Sequence, residues 1–258
     1  MGIAAILLCG GKGTRMIEGG ETTHKPLLEI GGMPATKFVA KKLQEDFTFS
    51  QILIVVPNGR EEEYKIAMKD IDCQIITQYL ALGTGNAVYE SLKYLNENIE
   101  DIYVSFGTQP LIRNETVQEC LKIHREIKSD FTLATVVMDY PYAPLIRDEF
   151  GNVLGSLETH LDGANMPSRG ETNVGSYWAS RVALQDILVK LHQKLYSEKM
   201  ERYDTISGEL GYPNEMVRGC LKMGLKVEGV PIANEQEMLG IKTPETLATI
   251  RKIVDGKR

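Results

Sequence analysis

Ile3-Ala4-Ala5-Ile6-Leu7-Leu8-Cys9-Gly10-Gly11-Lys12-Gly13-Thr14-Arg15-Met16, with Lys25-Pro26-Leu27 close behind, is an apolar run that empties into a glycine-rich loop. Ile3 to Leu8 has the unbroken apolar character of a strand. In the loop, glycines let backbone N–H groups approach phosphate oxygens with no side chain in the way. Arg15 and Lys25 add positive charge, so the segment reads as a cradle for a polyphosphate. Neither of the two commonest phosphate loops fits it. A Walker A loop requires Gly-x4-Gly-Lys-Ser/Thr, and the dinucleotide fingerprint requires a third glycine where Met16 stands.

Downstream of that loop, strand and helix signals alternate. Strands are expected over Gln51 to Val56, Cys73 to Thr77, Ile102 to Phe106 and Phe131 to Met138. Helices are expected between them, over Ala35 to Gln44, Glu62 to Lys69, Thr84 to Leu95 and Glu115 to Ile127. This order predicts a doubly wound, mostly parallel α/β sheet whose ligands sit beyond the carboxyl ends of the strands, with Gln51 to Val56 and Ile102 to Phe106 as buried central strands. The second half is less regular. Val153 to Glu158 and Gly175 to Ala179 read as strands, Arg181 to Leu195 as an amphipathic helix, and Thr243-Pro244-Glu245 as a helix start with threonine at the N-cap and proline in the first turn.

With 258 residues, 43% of them hydrophobic and 25% charged, the chain can bury a full core as one domain. A formal net charge of −6 with scattered basic residues supplies no field for nucleic acid. Cys9, Cys73, Cys120 and Cys220 are widely separated without a C-x-x-C pair, which reads as reduced cytosolic thiols. No charged leader or long apolar run is visible, so a cytoplasmic protein without a membrane span is expected. His24, His124, His160 and His192 lack metal-binding spacing and read as structural or surface residues.

Taken together, Leu8, Gly11, Gly13, Thr14, Arg15, Met16, Lys25 and Pro26 match, letter by letter, the L-x-x-G-x-G-T-R-M/L…K-P signature of the sugar-nucleotide pyrophosphorylase superfamily, which the chain resembles from Ile3 to about Val254. A second segment, Gln78-Tyr79-Leu80-Ala81-Leu82-Gly83-Thr84-Gly85-Asn86-Ala87, is similar to the Q-x-x-x-L-G-T-x-x-A motif by which N-acetylglucosamine-1-phosphate uridylyltransferases hold uracil. On its own this segment reads first as a helix start capped by Thr84, although a glutamine amide there could read a base carbonyl and imide N–H. A third block carries Glu158 and then Glu171-Thr172-Asn173-Val174-Gly175, where Glu158 and Asn173 stand at the family's sugar-binding positions. The glycine that precedes this block in relatives is replaced within Tyr142-Ala143-Pro144-Leu145, which leaves the sugar open.

The resemblance implies a Rossmann-like nucleotidyltransferase fold of the glycosyltransferase-A type with a smaller sugar-binding lobe. It forms a single domain over 1–258, of which about 1–112 holds the nucleotide and 113–258 the sugar. It implies a nucleoside triphosphate, UTP by the second motif, and a sugar 1-phosphate as substrates. Self-association is left open. Catalysis would fall to Arg15, Lys25 and Lys242, and nucleotide binding to Leu8, Cys9, Gly10, Gly11, Gly13, Thr14, Gln78, Gly83, Thr84, Gly107 and Thr108. No hexapeptide repeat follows in this sequence, so the acetyltransferase half of bifunctional relatives is expected either to be absent or to lie outside it.

One departure concerns the metal. Relatives read G-D-x-P-L where this chain has Gly107-Thr108-Gln109-Pro110-Leu111, and G-x-N/D where it has Gly240-Ile241-Lys242. Magnesium prefers hard anionic oxygens, so a hydroxyl and an ammonium are poor replacements. Three explanations stay open: Lys242 takes the cation's place while Mg2+ travels only on the nucleotide, the chain is a catalytically impaired binding module, or Glu235 or Glu237 supplies a ligand.

Overall fold

The computed structural model describes residues 2–11, 23–157 and 167–256. Seven strands, numbered in chain order, form the main sheet: β1 (Gly2–Leu8), β2 (Gln51–Pro57), β3 (Gln74–Gln78), β4 (Ile99–Phe106), β5 (Phe131–Asp139), β6 (Arg169–Ser180) and β7 (Val227–Val230). Their spatial order is β7-β5-β6-β4-β1-β2-β3. The pairings β1–β2, β1–β4, β2–β3 and β5–β7 are parallel, and β6 runs antiparallel to both its neighbours, β4 and β5. The expected central strands, β2 and β4, are both interior.

Alternation along β1 explains why its sequence is apolar without interruption. Ala4, Ile6 and Leu8 face one core, against Ala87 and Val88 of helix α3 (Thr84–Leu92). Leu184 and Leu188 of the helix spanning 181–195, here α5, and Met216 and Val217 of α6 (Pro213–Lys222) lie in the same core. Ile3, Ala5 and Leu7 face the other, with Val39 and Leu43 of α1 (Ala35–Asp46), Tyr64 of α2 (Glu61–Ala67), and Val117 and Cys120 of α4 (Asn114–Glu126). A strand buried on both sides has no solvent face to show in its sequence. A third cluster packs α7 (Pro244–Asp255) through Leu247, Ile250 and Val254 onto Leu28, Ile30, Leu111 and Ile241. This joins the chain end to the segments that follow β1 and β4. Thr243 is the N-cap of α7 as expected, its hydroxyl accepting from Thr246 N.

The structure departs from expectation chiefly in the second half. β6 is twelve residues long rather than confined to Gly175 to Ala179. Its polar first part escaped notice because Glu171 and Thr172 are satisfied across chain, by Arg147 and by the backbone of Ala143. Its register with β5 shifts between Asn173 and Tyr177, where Gly175 takes φ +83°. Helix α3 stops at Leu92, short of Leu95. The stretch 181–195 is helical as expected but carries a π-helical turn over Gln185–Val189. Strand Val153–Ser156 pairs with Leu145–Arg147 as a small hairpin. Helix α6 and strand β7 were not anticipated. No described helix is long and apolar enough to cross a membrane.

Candidate functional site

Because β1 to β4 run parallel, their carboxyl ends meet at one edge: Leu8 lies opposite Val55 and Phe106, and Pro57 opposite Gln78. A cavity of about 920 Å³ opens there. Of the residues singled out from sequence, Leu8, Cys9, Gly10, Gly11, Lys25, Gln78, Gly83, Thr84, Thr108 and Lys242 line it. Gly107 and Asn173 do not. Gly13, Thr14, Arg15 and Glu158 lie outside the described residues.

The loop after β1 is anchored from below. Cys9 N–H donates to Val55 O at 2.8 Å and Gly107 N–H to Leu8 O at 3.1 Å, which prolongs the sheet by a residue on each side. A side chain at Gly107 would meet Cys9 Sγ and Thr36 Oγ1, each at 2.6 Å, so that glycine serves close packing under the loop. Burial pushes the Cys9 thiol up to about 12, which makes it inert at neutral pH. Burial also lowers the pKa of His24, which joins the loop to α2: Nε2–H donates to Gly11 O at 2.9 Å, and Nδ1 accepts from Tyr64 Oη at 2.8 Å. A carbonyl can only accept, and that settles the tautomer.

Gly83 is the N-cap of α3, so Thr84 stands one position inside the helix and does not cap it. With φ +95°, Gly83 lets the chain pass so close to Leu210 that a Cβ would collide with the Leu210 carbonyl. The contact is fastened by Gly85 N–H to Leu210 O and Leu210 N–H to Leu82 O, both 2.8 Å. Residues from this partner segment, Thr205 to Ser207 and Glu209 to Gly211, together with Asn214, Glu215 and Arg218 from α6, complete one wall. None of these was singled out from the sequence. Their pattern is that of an ordinary polar loop and amphipathic helix, and only the docking onto Gly83 and Gly85 brings them to the site. Gln109 and Tyr142 were likewise missed.

Thr108 and Lys242 also line the cavity, and their segments are joined by Ile241 N–H donating to Thr108 O at 2.9 Å. Lys242 Nζ lies 5.2 Å from the centre of the Tyr142 ring, within range of a cation–π contact. A hydroxyl and an ammonium do not make a site for a hard dication. Glu237 offers no alternative: its buried carboxylate accepts from Arg113 Nε at 2.8 Å and Arg113 N at 2.9 Å, and it closes a capping box with Asn234. Neither Glu235 nor Glu237 lines the cavity, whereas Glu209 and Glu215 do, the latter 3.0 Å from Arg218. Asn173 is buried in β6 and its Oδ1 accepts from Tyr177 Oη at 2.6 Å. Beside it in the strand, Glu171 is gripped by both Nε and Nη2 of Arg147. Burial alone would raise its pKa, but these bonds and one from Thr135 outweigh burial and hold the carboxyl below its usual range.

Residues 5–167 match the MobA-like NTP transferase domain. The chain belongs to this family. Curated relatives include the bifunctional protein GlmU of Caldicellulosiruptor saccharolyticus, 26% identical over 92% of this chain and 49% of its own length. The GlmU of Clostridium novyi is 29% identical over 97% of this chain and 52% of its own. The chain therefore spans about half the length of the curated relatives it matches. A solved Bacillus anthracis protein described as a glucose-1-phosphate thymidylyltransferase superposes with a TM-score of 0.74 at 16% identity, over 98% of this chain and 95% of that one. That likeness is one of fold, and in open α/β sheets ligands bind beyond the carboxyl ends of the strands, where this cavity opens.

Proposed function

We propose that this chain joins a nucleoside triphosphate, UTP, to a sugar 1-phosphate, giving a nucleotide sugar and pyrophosphate. The observation that carries this reading is that Gly10, Gly11, Lys25, Gln78, Gly83, Thr84 and Lys242, drawn from four separate segments, line a single cavity at the carboxyl edge of the sheet. A sugar-phosphate oxygen would attack the α-phosphorus in line as pyrophosphate departs. No covalent nucleophile is needed, because positioning and charge neutralisation carry such a transfer.

In this scheme the loop N–H groups of Gly10, Gly11 and Gly13, with Arg15 and the Thr14 hydroxyl, hold the β- and γ-phosphates. Lys25 bridges the α-phosphate and the incoming sugar phosphate. Gln78, Gly83 and Thr84 read uracil and Glu158 faces the sugar, so that about 1–112 forms the nucleotide half and 113–258 the sugar half; Asn173, buried in β6 with its Oδ1 bonded to Tyr177, stands outside the cavity and braces the strand instead. Since Thr108 and Lys242 suit no dication, Mg2+ would arrive on the nucleotide. Lys242 would supply fixed positive charge from the protein side. Its place on the cavity wall beside Thr108 also favours a second reading, a module that binds the nucleotide or nucleotide sugar without turnover.

Pyrophosphate release with UTP, Mg2+ and a panel of sugar 1-phosphates separates the two. The enzyme turns over with one acceptor. The binding module is stabilised against heat by UTP and yields no product. Stabilisation by no nucleotide at all would refute both.

A further inference from the structure

The amide of Gln78 is held in one orientation, and the structure shows what holds it. Gln78 Nε2 donates to Gly83 O at 3.0 Å and to Asn86 Oδ1 at 2.8 Å. A backbone carbonyl accepts and cannot donate, so the nitrogen must face Gly83, and the atom of Asn86 that meets it must be its oxygen. That puts Asn86 Nδ2 toward Tyr203 Oη, at 3.1 Å. The Tyr203 oxygen, having accepted from Asn86, turns its proton to His192 Nδ1, 2.8 Å away. His192 is then the neutral tautomer with its proton on Nε2. Burial favours every state in this chain. It lowers the pKa of His192 and raises that of Tyr203 to about 12, so the ring stays neutral and the phenol stays protonated. The far end is clamped as well, since the His192 ring stacks between Tyr89 at 4.1 Å and Tyr196 at 4.8 Å.

Both N–H bonds of Gln78 are therefore spent inside the protein, and only Oε1 is left for the cavity. It lies against the open face of Gly10, where a side chain would collide with it. An amide offered by both ends could pair with a donor or an acceptor on a base. One offered only by its oxygen pairs with a donor.

We propose that Asn86, Tyr203 and His192 are positioning residues that fix Gln78 as a pure acceptor, so that the pocket selects a pyrimidine presenting a ring N–H, the imide of uracil or thymine, over cytosine, whose N3 is itself an acceptor. This rests on the base-reading role given to Gln78 above. Breaking the relay lets the carboxamide turn and weakens selection by sequence-remote residues that never touch the nucleotide. Unfavourable acceptor–acceptor contact is what rejects the wrong base, and such rejection is more discriminating than lost packing.

Two measurements on the intact chain test this. Nitrogen-15 spectra of His192 in the nucleotide-free protein should show the Nε2–H tautomer, changing in Tyr203→Phe; an Nδ1–H tautomer in the wild type overturns the relay whatever the protein binds. Calorimetry should show UTP and dTTP bound about tenfold or more tighter than CTP, the scale of one hydrogen bond in a buried site. Tyr203→Phe and Asn86→Leu should bring that ratio toward unity, while Asn86→Asp, which still offers Gln78 an acceptor, should retain it. An unchanged ratio in Tyr203→Phe, or loss in Asn86→Asp as complete as in Asn86→Leu, overturns the inference. Wild-type protein that binds none of the three nucleotides defeats the proposed function, and this consequence with it, while the tautomer is still read independently.

Discussion

Lys25 and Lys242 come from opposite ends of the chain and face the same cavity. A lysine is a compact point charge that suits phosphate without dictating its geometry. Replacing Lys25 with alanine should weaken triphosphate binding by about 1.5–3 kcal/mol, the range for a hydrogen bond to a charged group, and the same holds for Arg15→Ala. Equal calorimetric affinities in wild type and both variants would remove the phosphate cradle. Lys242 tests the chemistry itself. If it neutralises the leaving phosphates, Lys242→Ala should cost about 2.7–4 kcal/mol of transition-state stabilisation, measured as kcat/KM. An active wild type with an equally active Lys242→Ala excludes that role. If the chain only binds, the double change Thr108→Asp with Lys242→Asn should create magnesium-dependent pyrophosphate release, because it restores two oxygen ligands. Thr108→Asp alone should not, since the new carboxylate would stand beside the lysine and pair with it.

At the level of elements, the parallel strands were readable because burial on both faces leaves an uninterrupted apolar run, as in Ile52 to Val56. Helix α7 announced itself by Thr243 and Pro244, and the capping geometry is the one those residues favour. β6 announced only its apolar end. The remaining wall of the cavity is an element-level product, since the loop 205–211 reaches the site by lying across the start of α3. Gly83 and Gly85 are the two positions where that crossing leaves no room for a side chain. Gly83→Ala should destabilise the fold by roughly 1–3 kcal/mol, from an alanine forced to positive φ and pressed against the Leu210 carbonyl. It should also reduce UTP binding by more than its effect on stability explains, because the wall shifts with it. Thermal melts and calorimetry on the same sample check both parts. A variant with wild-type melting temperature and affinity would show that the crossing is not tight.

Across the whole molecule, two histidines, one buried and one partly buried, tie stability to pH. His24 and His192 both have pKa values lowered from 6.5 by burial, so the folded chain resists protons that the unfolded chain accepts. Stability should be greatest above that value. It should fall as pH drops through it, then level once the folded rings protonate. Burial works to raise the carboxyls of Asp101 and Glu171, but hydrogen bonds from His124 and Arg125 to the first, and from Arg147 and Thr135 to the second, hold them below their ordinary values, which adds a second loss at lower pH. Urea unfolding between about pH 8 and 5 should show the first decline, and His24→Gln with His192→Gln should flatten it; a flat wild-type profile over that range would contradict it. The amino-acid sequence by itself determined the sheet's first half and singled out Gly10, Gly11, Lys25, Gln78, Gly83, Thr84, Thr108 and Lys242, which line one cavity, because glycine spacing and strand apolarity are local properties. Only the tertiary structure decided that loop 205–211 and α6 form a wall, that Glu237 is consumed by Arg113, and that Gln78 faces the cavity with its oxygen alone. The wall and the Glu237 pair each join residues more than a hundred apart along the chain, and Asn86, which holds the Gln78 amide, is itself bonded to Tyr203 at such a separation; a hydrogen bond or close approach between such residues leaves no periodicity in the sequence to be read.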